Sequence, residues 1–162
     1  GIGFFDHMLD ALRKHAGFDL SVQATGDLHI DGHHTVEDVG IVLGQVFAEA
    51  LGDGSGIARF GSAYCPLDEA LARTVVDVSG RPFLHYGCDV RFNRIGDFDG
   101  ELYVEFLRAF AMNARVTLHV ELLYGDNQHH ILEAMTKSLA RALKVAVAQQ
   151  GGGIPSTKGV LT

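Results

Sequence analysis

Asp31-Gly32-His33-His34-Thr35-Val36-Glu37-Asp38 decides how the chain reads, because its pattern returns as Asn127-Gln128-His129-His130-Ile131-Leu132-Glu133-Ala134. Each copy is an adjacent histidine pair and a glutamate that open an apolar-periodic run. Each follows turn-like residues, Asp31-Gly32 in one case and Gly125-Asp126-Asn127 in the other, and so belongs at the first turn of a helix. On a helix, positions i and i+4 share a face. His33 with Glu37, and His129 with Glu133, can therefore converge on one ion each. His34 and His130 point about 100° away, toward a different ion or a substrate. A single such motif is equally readable as a polar helix start with a capping glutamate. Two copies with the same internal spacing point to a duplicated device and to two metals.

Working outward, the helix opened by the first copy continues through Val39, Leu43, Val46, Phe47 and Leu51 and stops at the loop Gly52-Asp53-Gly54-Ser55-Gly56. Upstream, Phe5, Met8, Leu9 and Leu12 form one apolar stripe, which predicts a helix from Phe4 to His15 ended by Gly17. His7 lies off the centre of that stripe and by itself reads as a solvated helix residue. Phe18 to Ala24 alternates as a half-buried strand, with Asp27 to Asp31 as its short partner. Arg59 to Cys65, Ala70 to Ser79 and Phe83 to Tyr86 read as an antiparallel meander with turns at Pro66 to Glu69 and Gly80-Arg81-Pro82. A helix from Glu101 to Met112 and a strand from Val116 to Leu122 lead into the second histidine-pair helix, whose core stripe is Leu132, Met135, Leu139, Leu143 and Val147. Gln149 to Gly153 reads as a mobile linker.

The order helix, strand, turn, histidine-pair helix thus occurs twice, which implies a duplication with halves 1–94 and 95–162 inside one domain. Helices and antiparallel strands in this order read as a chain of the α+β class. The repeat also aligns His7 with Glu105. His7 precedes His33 by 26 positions, Glu105 precedes His129 by 24, and a shorter loop accounts for the difference. If His7 is a ligand, Glu105 is expected to be one too. The candidate metal set is then His7, His33, His34, Glu37, Glu105, His129, His130 and Glu133. Imidazole and carboxylate donors without thiolate suit Mn, Fe, Zn, Co or Ni in Lewis-acid work rather than a structural zinc.

Composition narrows the class. At 162 residues, 47% apolar and 20% charged, the chain can bury a core. A net charge of −7 disfavours a general nucleic-acid binder. Cys65 and Cys88 have no CxxC spacing and read as reduced thiols of a cytosol-like compartment. No apolar run is long enough for a membrane helix. Arg59 and Arg81 sit at strand or loop edges, where each is either a surface arginine or a bidentate anion contact. Ile154-Pro155-Ser156-Thr157-Lys158-Gly159 reads as a phosphate-wrapping loop or as a frayed terminus.

Several of these stretches, in this order, resemble the imidazoleglycerol-phosphate dehydratases of histidine biosynthesis. They are Phe4-Phe5-Asp6-His7-Met8-Leu9, the run Gly26 to Asp38, Ser79-Gly80-Arg81-Pro82, His129 to Ala134, and the tail from Pro155 to Gly159. The resemblance implies a hydro-lyase that converts D-erythro-imidazole-glycerol phosphate to imidazole-acetol phosphate. It implies two Mn2+ per active site with the azole between them, and an α+β fold of duplicated half-domains, each a mainly antiparallel sheet backed by helices, like that of a ribosomal-protein domain. It implies a cytoplasmic assembly of 24 subunits whose active sites lie at subunit contacts, with neither nucleic acid nor membrane as partner. Position by position it places metal ligands on the eight residues above, with Glu105 standing where many members have histidine. It places substrate contacts on His7, His15, His33, His34, Glu37, Arg59, Arg81, His129, His130, Lys137, Ser156, Thr157 and Lys158. The catalytic base falls in a segment that precedes Gly1 in family members.

Overall fold

The stripe Phe5, Met8, Leu9 and Leu12 forms helix α1 (Gly3–Ala16) and all four side chains are buried. Gly17 closes it in the left-handed conformation, φ 71°, with its N–H bonded to the Arg13 carbonyl. The start of α1 is capped from far along the chain: the Asp97 carboxylate accepts the Gly3 N–H at 2.7 Å and the Phe4 N–H at 3.3 Å. The computed structural model describes residues 1–161. Its other elements are α2 (His33–Leu51), β1 (Phe60–Leu67), β2 (Ala70–Asp77), β3 (Phe83–Gly87), β4 (Arg94–Ile95), β5 (Phe98–Asp99), α3 (Leu102–Ala114), β6 (Thr117–Tyr124) and α4 (Gln128–Ala146).

The class is α+β, with one four-stranded sheet in the order β1-β2-β6-β3 and a two-stranded β4-β5 hairpin. Three expectations are corrected. Phe18–Ala24 and Asp27–Asp31 are not strands. Alternation marks a face, but a strand also needs a ladder partner. None is present for 18–24 among the described residues, while Asp27 to Ile30 closes a turn through Ile30 N–H to the Asp27 carbonyl at 2.8 Å. The meander is also incomplete. β1 and β2 form a hairpin, but β3 pairs in parallel with β6 instead of with β2, and α3 supplies the long connection that parallel strands need. The third correction concerns Gln149 to Gly153. This stretch is tied to the glycine loop, by Gln150 N–H to the Gly56 carbonyl at 2.7 Å and Gly56 N–H to the Gly153 carbonyl at 3.1 Å.

One sheet face is covered by helices, α4 over β1 and β2 and α3 over β3. Leu118, Val120, Ala72 and Val76 point into this core beside Leu132, Met135, Leu139 and Leu143 of α4. Two buried hydroxyl pairs tie these elements: Thr74 of β2 with Ser138 of α4 at 2.7 Å, and Tyr103 of α3 with Thr136 of α4 at 2.9 Å. The helices pair across the two halves. α1 lies along α4, with Gly17 near Lys144, and α2 lies along α3. The second pair is close because Gly40 and Gly44 carry no side chain. A Cβ on Gly44 would sit 2.7 Å from the Phe110 carbonyl oxygen. This cross-pairing positions the site, since it brings the start of α1 to the start of α4.

Candidate metal centre

The second histidine pair opens α4 as its sequence implies. The Asn127 side-chain oxygen accepts the His129 N–H at 3.0 Å and the His130 N–H at 3.3 Å, a standard satisfaction of orphan helix donors. One turn on, Glu133 Oε2 lies 3.1 Å from His129 Nε2. α1 delivers His7 to the same oxygen, also at 3.1 Å. Ligand atoms of His7, His129 and Glu133 all fall within 4.8 Å of one another. The remaining Glu133 oxygen meets Lys137 Nζ at 2.6 Å. Burial by itself pushes the Glu133 carboxyl up. The Lys137 ammonium and the two imidazoles outweigh that and hold it at about 2. The carboxylate is therefore ionised and aimed at two ring nitrogens, a donor set that fits a divalent ion of imidazole and oxygen preference.

The first copy opens α2 behind Gly32, and Asp31 Oδ1, one residue further out, accepts the His33 N–H at 2.8 Å. It is looser. His33 Nε2 and Glu37 Oε2 stand 3.9 Å apart. Glu105 is on α3, the helix that flanks α2, but its carboxylate is paired with Arg108 one turn along. Among the described residues the one group of three converging donors is His7, His129 and Glu133. The surroundings also differ: Glu133 has Lys137 at i+4 to hold its second oxygen, whereas Glu37 has Ile41 at that position.

His34 and His130 turn away from their own glutamates, as helix geometry requires. Each finds a carboxylate that the motif reading missed. His34 Nδ1 is 2.8 Å from Asp27 Oδ2, and His130 Nδ1 is 2.7 Å from Glu69 Oε2. Glu69 Oε1 also accepts the N–H groups of Asn127 at 2.8 Å and Asp126 at 3.3 Å. The His130 bond, then the Asn127 N–H, hold the Glu69 carboxyl at about 2. Hydrogen bonds donated to the Asp27 and Glu69 carboxylates raise His34 and His130 above the ordinary histidine value. Glu69 is in the two-residue turn between β1 and β2, and no local signal in the sequence ties it to His130.

The anion-binding candidates gather elsewhere. Arg59 takes a left-handed backbone, φ 72°, just before β1. Its guanidinium donates to Asp77 at 2.7 and 3.1 Å and to the Pro155 carbonyl at 2.9 Å. Arg81 reaches the same Asp77 at 4.0 Å. The tail is thus held against the end of the sheet, with Ser156 Oγ accepting the Lys158 N–H at 3.2 Å and Thr157 exposed between them. Lys137 is not in this group, since it pairs with Glu133. His15, in the last turn of α1, is held below the ordinary histidine value by burial and by the nearby Lys137 and Arg141 charges.

The chain is similar in sequence and fold to known proteins. The family model described as imidazoleglycerol-phosphate dehydratase matches residues 1–143. The imidazoleglycerol-phosphate dehydratase of Azorhizobium caulinodans is 60% identical over 99% of this chain and 83% of its own length. That of Gluconobacter oxydans is 61% identical over the same shares. The crystal structure of the Staphylococcus aureus enzyme covers 92% of this chain and 84% of that one, at 44% identity and a TM-score of 0.86. The Pyrococcus furiosus enzyme covers 99% and 87%, at 39% identity and a TM-score of 0.87. With the family model matching most of its length and relatives this similar, the chain belongs to the imidazoleglycerol-phosphate dehydratase family of hydro-lyases.

Proposed function

We propose that the chain converts D-erythro-imidazole-glycerol phosphate to imidazole-acetol phosphate in histidine biosynthesis, in the cytoplasm, with two divalent ions, Mn2+ by preference. The observation that carries this reading is the meeting of His7, His129 and Glu133 within 4.8 Å. His7, His129 and Glu133 would hold one ion and His33, Glu37 and Glu105 the other, with Glu105 leaving Arg108 to do so. His34 and His130 offer their outward ring nitrogens. The bound ions would supply Lewis-acid polarisation of the azole ring and of the departing hydroxyl.

In the reaction, the C–O bond beside the ring breaks and the neighbouring carbon gives up its hydrogen. The resulting enol takes a proton at the carbon beside the ring to become the ketone. Hydroxide and proton leave together as water. This chain's contribution is to fix the substrate: Lys137 places a positive charge beside Glu133, and Arg59, Arg81, Ser156, Thr157 and Lys158 offer a basic, donor-rich cradle to the phosphate.

Within one subunit these two regions are at opposite ends of α4. Glu133 is in its second turn, while Arg59 N–H bonds to the carbonyl of Ala146, its last residue. That is about 20 Å at 1.5 Å per residue, more than a three-carbon chain can bridge. The cradle of one subunit therefore serves the metal end of another, in keeping with a closed assembly of 24 subunits. The outward sheet face, where Phe60, Tyr64, Val75 and Phe83 are exposed, offers apolar area for such contacts.

The test is turnover of the substrate by metal-stripped protein with and without added Mn2+, with 1,2,4-triazole as competitor. Mn2+-dependent ketone formation inhibited by the azole is expected. Full turnover in the presence of a strong chelator overturns the metal reading, and a phosphate ester cleaved in place of dehydration overturns the substrate reading.

A further inference from the structure

The two carboxylates that face the second histidine of each pair come from unrelated places in the chain. Asp27 is in the loop that precedes α2, seven positions before His34. Glu69 is in the β1–β2 turn, 61 positions before His130. The repeat that duplicated the histidine pairs does not account for both, because the two carboxylates occupy non-equivalent positions in their halves. Yet each takes the Nδ1 side of its ring, at 2.8 Å and 2.7 Å. The first histidines behave differently: His33, His129 and also His7 present Nε2 to a glutamate.

We propose that Asp27 and Glu69 are positioning residues for metal binding, each gripping Nδ1–H of a histidine so that Nε2 is left outward as the ligand atom. The inference rests on the two-ion reading above. A neutral imidazole has one N–H, so a carboxylate acceptor on Nδ1 selects the tautomer whose lone pair is on Nε2, and it fixes the plane of the ring. The negative partner also makes Nε2 a stronger donor to a cation. Glu69 does a second task with its other oxygen. By accepting the backbone N–H groups of Asn127 and Asp126, it fixes the loop that caps α4, and so places His130 relative to His129 and Glu133. Among the described residues, the partner recorded for Nε2 of His130 is the exposed Asp68, at 3.9 Å, which leaves it open to an ion brought between this surface and a neighbouring subunit.

The test is Mn2+ titration of the metal-stripped, assembled protein by calorimetry, with Asp27→Asn and Glu69→Gln alone and in His34→Ala and His130→Ala backgrounds. Each carboxylate substitution is expected to weaken Mn2+ binding about 10- to 100-fold, and to cost nothing further once its histidine is gone, because the glutamine oxygen can still accept the Asn127 and Asp126 N–H groups. A residue that only braces a loop would give the same loss in both backgrounds, and that result overturns the proposal. So does unchanged affinity in the single variants. If the wild-type protein takes up no Mn2+, the two-ion reading fails first and the positioning role fails with it. Anomalous diffraction from Mn2+-loaded crystals supplies a second reading: an ion against Nδ1 of His34 or His130, with the carboxylate displaced, also overturns it.

Discussion

His7 on α1 and Glu133 on α4 meet at 3.1 Å across 126 positions of sequence, and Lys137 braces the other oxygen of the same carboxylate. The meeting depends on α1 lying along α4, and it converts an ordinary-looking helix histidine into one of three converging donors. Glu133→Gln keeps the shape and removes the charge. It is expected to lower Mn2+ affinity and turnover by more than about 100-fold, beyond the loss typical of outer-shell partners. Calorimetry and steady-state rates measure both, and wild-type affinity in this variant would refute the assignment.

The Glu69–His130 pair gives a pH signature in metal-free protein. The folded state lowers Glu69 from 4.5 to about 2, so its contribution is present above about 4.5 and is lost as pH falls toward 2. The folded state raises His130 above 6.5, so its contribution is present below 6.5 and is lost as pH climbs through the raised value. The pair therefore stabilises most between about pH 4.5 and 6.5. Denaturant unfolding in chelator should show the largest gap between wild type and Glu69→Gln in that window, and a narrower gap at pH 3 and pH 9.

Arg59 is held by two bonds to Asp77 and one to the Pro155 carbonyl, with 15% of its side chain exposed. Arg59→Ala leaves Asp77 without its main partner and frees the tail. A loss of about 2 kcal/mol is expected by denaturant unfolding, the scale of a partly buried charged hydrogen-bond pair. Limited proteolysis should then cut near Pro155. Arg59→Lys should recover less than half of the stability, because an ammonium cannot make the planar two-point contact.

The α2–α3 contact has no room for a methyl group at Gly44, where a Cβ would meet the Phe110 carbonyl at 2.7 Å and Ala114 N at 2.8 Å. Backbone atoms cannot rotate aside as a side chain can. Gly44→Ala is expected to cost about 1–3 kcal/mol despite the better helix propensity of alanine. The check is thermal unfolding, and an unchanged or raised midpoint would contradict the packing described.

If the cradle of one subunit serves the metal end of another, two inactive variants should complement. Arg81→Ala and Glu133→Gln proteins, each with little turnover, should regain activity when unfolded together and reassembled. Some mixed sites then receive an intact arginine from one subunit and an intact glutamate from the other. Activity no higher than the average of the separate proteins would place the whole site within one subunit.

Much of this molecule was legible in its residues. Apolar periodicity marked all four helices to within two residues at the ends that matter, and the repeated histidine pairs marked where α2 and α4 begin. Those signals are local: they depend on spacing along a helix of fixed pitch. Pairing is not local. The alternation at Phe18–Ala24 could not say whether a neighbouring strand lies beside it, nor that β3 joins β6 in parallel. The carboxylates at Asp27 and Glu69 and the cap at Asp97 are side chains on loops, whose partners are chosen by how the layers stack. Sequence by itself determined which atoms are available to bind a metal. Only the tertiary structure decided which of them meet, because the distance between donors on different elements is set by packing and not by spacing in the chain.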